Sequence, residues 1–125
     1  MRMVGVGFLF AGIVIALCAG CPNGGVPCTL EFAYGLTVHL SDAGTGAPIS
    51  GASLILREGA YVETMQEILP DFEPGTYVGA GERAGTYTLT VQAAGYEGQS
   101  IEDIVVTADI CHVTGRTLDV ELSRN

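Results

Sequence analysis

The sequence predicts an all-β fold, a sandwich of seven or so short strands, and three observations carry that expectation. Apolar residues recur with a period of two: Leu36, Val38 and Leu40 alternate with Thr37, His39 and Ser41, and Tyr87, Leu89 and Val91 alternate with Thr88, Thr90 and Gln92. That period sets each trio on one face of an extended strand. Glycine-rich turn clusters, such as Ala43-Gly44-Thr45-Gly46-Ala47-Pro48 and Ala94-Gly95-Tyr96-Glu97-Gly98, punctuate the runs. The least regular stretch, Gln66–Gly75, carries Pro70 and Pro74, which limit it to a single helical turn.

Taken in order, the first strand centres on Leu36–Leu40. Ala52–Arg57 follows, with apolar residues at both parities (Leu54, Ile55, Leu56), so it is expected to be covered on both faces. Tyr61–Met65 extends it or pairs with it. Thr76–Glu82 and Gly85–Ala93 are expected to form a hairpin across Arg83-Ala84. Ser100–Thr107 and Cys111–Leu122 complete the set. In the last of these, Cys111 and Val113 are apolar at odd positions and Leu118, Val120 and Leu122 at even ones. A one-residue slip would turn half the strand outward, so a β-bulge is expected at Gly115.

The first twenty residues are of another kind. Arg2 supplies the early positive charge, Val4–Leu17 is an unbroken run of apolar residues and glycine, and Ala19-Gly20 places two small residues before Cys21. These are the three parts of a secretory signal. The apolar run falls short of the ~20 residues of a spanning helix before Pro22-Asn23-Gly24-Gly25 ends it; an uncleaved anchor helix is the alternative reading. Ala19-Gly20-Cys21 resembles the lipobox of bacterial lipoproteins, with Cys18 at the place usual for leucine and Leu17 one further back. The resemblance implies cleavage before Cys21 and a diacylglycerol thioether on it. Residues 1–20 are then the signal peptide, 21–33 a lipidated tether and 34–125 the folded domain. Several acyl chains anchor stably where a single one holds only marginally. The implied address is the bacterial cell envelope. Pro22 stands where an aspartate is associated with inner-membrane retention, which favours the outer membrane, facing the periplasm or the cell surface.

The chain carries 5 basic and 14 acidic residues, a net charge of −9, and loss of Arg2 with the signal would make it about −10. Such a surface excludes nucleic acid, whose phosphates need basic neutralisation, and disfavours adsorption to anionic headgroups. Solubility and resistance to self-association are the ordinary consequences.

Two further segments resemble one module. Thr45-Gly46-Ala47-Pro48-Ile49-Ser50-Gly51-Ala52 is similar to the TGxPIxGA turn and strand of carboxypeptidase regulatory-like domains. Ala84-Gly85-Thr86-Tyr87-Thr88-Leu89-Thr90-Val91, followed by Ala94-Gly95-Tyr96, is similar to their GxYxLxVxAxGY signature. The resemblance spans about Gly35 to Leu122. It implies a transthyretin-like sandwich of prealbumin topology, used as an accessory, folding or adhesive module, with no catalytic residues to carry over. Tyr87 and Tyr96 are expected as core or corner aromatics.

Little in the chain suggests chemistry. Nucleophilic catalysis needs a Ser or Cys beside a base; the two histidines, His39 and His112, lie outside any G-x-S-x-G context. Cys111 and His112, as consecutive strand residues, would face opposite ways. Glu102, Asp103 and Asp109 could offer oxygen to calcium, but they read as a solvated edge, and no spaced Cys or His set suggests zinc. No metal or other cofactor is expected, and the expected class is a non-catalytic structural or interaction module. Its partners are the membrane, through the lipid, and an envelope protein or glycan. The alternative is a carbohydrate- or small-ligand-binding protein that uses Tyr61–Phe72 as its recognition loop, although the chain lacks Trp.

Of the four cysteines, Cys18 departs with the signal and Cys21 takes the lipid, leaving Cys28 and Cys111 in an oxidising compartment. A disulfide between them is expected, closing a loop of about 80 residues and contributing roughly 4 kcal/mol on the chain-entropy account. Two buried, unbridged thiols are the alternative.

Overall fold

A computed structural model describes residue 28 and residues 30–125 of the chain. The export segment, Cys21 and the tether up to residue 27 lie outside the described residues, as does Thr29. Eight strands form among them: β1 (Tyr34–Asp42), β2 (Ser53–Glu58), β3 (Tyr61–Thr64), β4 (Gln66–Glu67), β5 (Thr76–Gly81), β6 (Gly85–Gln92), β7 (Gln99–Val106) and β8 (Arg116–Leu122). They make two four-stranded sheets, ordered β4-β5-β1-β8 and β3-β2-β6-β7. The all-β sandwich expected from the sequence is what the chain adopts.

The alternating residues do what their period requires. Leu36, Val38 and Leu40 of β1 point inward, against Leu54 and Leu56 of β2, Tyr87, Leu89 and Val91 of β6, and Val120 and Leu122 of β8. Most of these side chains are wholly buried, so truncating one, as in Leu89→Ala, removes both its transfer energy and its packing, about 2–5 kcal/mol.

Four local expectations need correction. Strands β5 and β6 are not a hairpin: β5 pairs with β1 and β4, whereas β6 pairs with β2 and β7. A two-residue hairpin turn favours residues such as Asn-Gly that accept positive φ, and Arg83-Ala84 is no such pair. The chain instead crosses from one sheet to the other, with Glu82 at φ 50. The crossing is fixed by Tyr87, whose hydroxyl donates to the Arg83 carbonyl at 2.7 Å, so Tyr87 is both core and corner.

Strand β2 is covered on one face only, because Leu54 and Leu56 are buried and Ile55 is only half-buried. The phase change before Leu118 is not a bulge at Gly115. Strand β8 begins at Arg116, and residues 107–114 fold into a closed loop through Thr114 N–H to Thr107 O (2.7 Å) and Asp109 N–H to His112 O (2.9 Å). Cys111 therefore sits in that loop and not in a strand. The bulge lies in β7, where the register against β6 shifts between Tyr87 and Leu89 and Asp103 takes φ 60. Its sequence signature is there too: Ile101 is odd, Ile104 and Val106 even. Within residues 66–75, one turn closes through Glu73 N–H to Leu69 O (2.7 Å) and goes no further.

Pairing of β1 with β8 is parallel, Leu36 opposite Arg116 and Asp42 opposite Leu122. Both strands thus start at the same end of the sandwich. The segments just upstream of each meet there, and Cys28 is bonded to Cys111 with 5.3 Å between α-carbons, within the range disulfides occupy. The expected staple is present.

Candidate functional site

The two motif segments converge at the opposite end, where β1 finishes. The Thr45–Ala52 segment leaves β1 through a turn in which Gly46 (φ 78) and Gly51 (φ 74) adopt the left-handed conformation that favours glycine. Ile49 plugs into the core. Tyr77, from β5, reaches this segment from below: its buried hydroxyl donates to Ile49 O and accepts from Ala52 N–H, both at 2.9 Å. Burial raises its pKa.

Asp42, the last residue of β1, is buried and organises the turn. Its Oδ1 accepts from Gly44 N–H (2.7 Å) and Thr45 N–H (3.0 Å). Its Oδ2 accepts from the Tyr96 hydroxyl and Arg124 Nε, both at 2.8 Å. The Tyr96 bond first, then the Gly44 N–H, hold the carboxyl at a pKa of about 2, because donors aimed at a carboxylate favour its charged form. One side chain thereby ties together the first motif, the second motif and the C-terminal segment.

Glu67, on the short β4, does similar work nearby. It accepts from Ser50 Oγ (2.5 Å), Gly51 N–H (2.9 Å) and Gly75 N–H (3.0 Å). Burial opposes its charge, but the Gly75, Ser50 and Gly51 donors outweigh that and lower its pKa. Two shallow depressions open here. One, of about 450 Å³, is lined by Ser53, Gln92 and Tyr96, and one of about 490 Å³ by Asp42, Thr45 and Arg124. The carboxylate at the second is already fully engaged.

The residues whose types could have suggested chemistry are dispersed. His39, on the outer face of β1, has Nδ1 3.2 Å from Thr76 Oγ1, and Asp119 of β8 is its neighbour in register. His112 has Nδ1 2.9 Å from Glu82 Oε2 at the disulfide end, where Glu82 also accepts from Ala33 N–H (2.8 Å). The Ala33 bond, then His112, lower the pKa of Glu82. Neither histidine lines either depression. Asp109 turns its Oδ1 to the N–H groups of Cys111 and His112, each at 2.8 Å, the turn chemistry expected of Asp, while Glu102 and Asp103 lie on β7. Among the described residues no three His, Cys, Asp or Glu gather as metal ligands.

The Tyr61–Phe72 stretch is not one loop. Tyr61 lies in β3 with the Arg83 guanidinium 3.6 Å over its ring and its hydroxyl donating to Glu63 at 2.7 Å. Arg83 in turn bonds Glu58 (2.8 Å) and the Tyr87 hydroxyl (3.0 Å). Phe72 is exposed at the far end. The carboxylate networks around Asp42, Glu67 and Glu58 have almost no signature in the sequence. Only Asp42-Ala43-Gly44-Thr45, an acid followed by a turn, hints at one of them.

No family model matches the chain, and no curated protein matches it.

Proposed function

We propose that this protein is a non-catalytic β-sandwich module, tethered to the bacterial envelope through a lipid on Cys21, that serves as a structural or interaction domain. The observation that carries the reading is the use made of the polar side chains. Asp42, Glu67, Glu58, Glu82 and Asp109 each spend their oxygens on backbone N–H groups and neighbouring side chains of the fold, which is the chemistry of a stapled scaffold. The placement of Thr45–Ala52 and Ala94–Tyr96 side by side, tied by Asp42, supports a kinship with carboxypeptidase regulatory-like domains. The envelope, with the outer membrane favoured by Pro22, is its proposed address.

The glycan-binding alternative wants an open aromatic platform. Tyr61 has its face under Arg83, Tyr87 is buried, and Phe72 is the one exposed aromatic on the 69–73 turn, beside the aliphatic Leu69. The Tyr61–Phe72 stretch therefore offers no such platform, which weighs against its use as a sugar-recognition loop.

The test is fractionation and assay together. The natural chain is expected in the membrane fraction, and Cys21→Ser is expected to lose acylation and the membrane attachment that follows from it. The purified protein is expected to leave ester, peptide and glycoside substrates intact. Hydrolysis abolished by His39→Ala or His112→Ala would overturn the non-catalytic reading.

A further inference from the structure

The disulfide end of the sandwich carries several strongly exposed apolar side chains, set among the acids Glu31 and Asp109. Leu30 is 103% exposed, Ile110 79% and Phe32 63%. Leu30 stands two residues from Cys28 and Ile110 next to Cys111, so the disulfide brings both to one place. Leu30, Phe32 and Tyr34 fall at alternate positions leading into β1. Phe32 is held, not loose. Its ring meets Tyr34 edge-on at 5.1 Å and covers Gly81, where a β-carbon would leave it no room. Large exposed apolar side chains gathered at one end mark a contact surface.

We infer that this end faces the lipid bilayer, with Leu30, Phe32 and Ile110 resting in its interfacial layer. The inference rests on the membrane-anchor reading and deepens it. What identifies the occupant is the length of chain beyond the described residues and where it ends. Seven residue steps separate Cys21 from Cys28, a reach of about 25 Å at full extension and roughly 15 Å as a glycine-rich coil. The chain enters the domain at the disulfide, so this end stays within that distance of the anchor. The opposite end, with Phe72, lies the length of β1 away, nine residues or about 30 Å. With a net charge of −9 the contact is apolar and not electrostatic, which suits a zwitterionic interface. Aromatic and aliphatic side chains are the groups such an interface accepts.

The chain has no Trp, so single substitutions report position cleanly. The full-length acylated protein, as Phe32→Trp, Ile110→Trp or Phe72→Trp, is reconstituted into protein-free phosphatidylcholine vesicles, with flotation first confirming attachment. Phe32→Trp and Ile110→Trp are expected to shift emission to the blue, to be quenched by nitroxide-labelled phosphatidylcholine and to resist aqueous iodide. These changes should survive high salt, and Phe72→Trp should show none of them. Failure to float would defeat the anchor reading and this inference with it. Attachment with equal iodide quenching of all three variants would overturn this inference alone. Protection of Phe32→Trp and Ile110→Trp in native membranes but not in the vesicles would assign the surface to a protein partner and likewise overturn it.

Discussion

The two ends of the sandwich differ in one means by which they are held. At one end a covalent bond joins Cys28 to Cys111 and pins a segment that precedes β1 to a loop that precedes β8. At the other, no covalent link exists among the described residues, and Asp42 and Glu67 gather the turns by accepting hydrogen bonds. The difference follows from topology. Parallel β1 and β8 leave two upstream segments outside the sheets at the disulfide end, which the disulfide joins covalently and Glu82 joins by accepting from Ala33 N–H and meeting His112 Nδ1. At the opposite end the chain makes short returns whose N–H groups point inward at a carboxylate. The first end adds a cross-link to its carboxylate contacts, whereas the second relies on carboxylate acceptors without one among the described residues.

Breaking the staple should have the largest effect. The bond closes a sequence separation of 83 residues, for which the chain-entropy account gives about 4–5 kcal/mol. Replacing both cysteines by serine should lower stability by that order in chemical denaturation. Hydrogen exchange should rise in residues 30–34 and 108–113 while the turn after Asp42 stays protected. Equal loosening of both ends would break the comparison.

Acid should sharpen it from the other side. The folded pKa of Asp42 is depressed to about 2 from an unfolded value near 4. Its contribution is therefore fully present above about pH 4 and is lost as pH falls through about 2. Asp42→Asn should lower the Tm at neutral pH and flatten the decline between those limits, so that the two proteins converge near pH 2. A residual decline is expected from Glu67, Glu58, Glu82 and Asp109, all with lowered pKa values. Thermal melts across the range check this; two parallel curves would show that Asp42 is not the acid-sensitive acceptor.

Smaller effects separate the interior of the loop end from its surface. Tyr77→Phe leaves Ile49 O without its donor and Ala52 N–H without its acceptor, a cost of about 1–2 kcal/mol. Phe72→Ser, on an exposed turn, should change stability by less than about 0.5 kcal/mol. Urea titrations of the pair read both, and a larger loss for Phe72 would mean that the turn is packed in solution.

The strand set and the staple are legible in the sequence because they depend on local period and on cysteine arithmetic. Leu36–Leu40 and Tyr87–Val91 carry the core in the alternation their sequence displays. Strand partnership is not legible, since whether Thr76–Gly81 pairs forward with β6 or back with β1 is decided by a whole sheet, not by the two residues between. Parity changes are visible twice, but a bulge and a broken strand leave the same mark. At Ile101–Ile104 it is a bulge; before Leu118 it is a break. The carboxylate networks reach across the chain: Tyr96 stands 54 residues from Asp42, and Ser50 stands 17 from Glu67. Nothing in local sequence couples such positions.

The claim on which the function and the orientation both depend is the lipid on Cys21. Intact and peptide-level mass spectrometry of the protein from the membrane fraction tests it most directly. The expected result is a mature chain starting at Cys21 with a diacylglyceryl thioether on its sulfur, Cys28 and Cys111 remaining disulfide-linked. An unmodified Cys21, or a mature start at another residue, would contradict it.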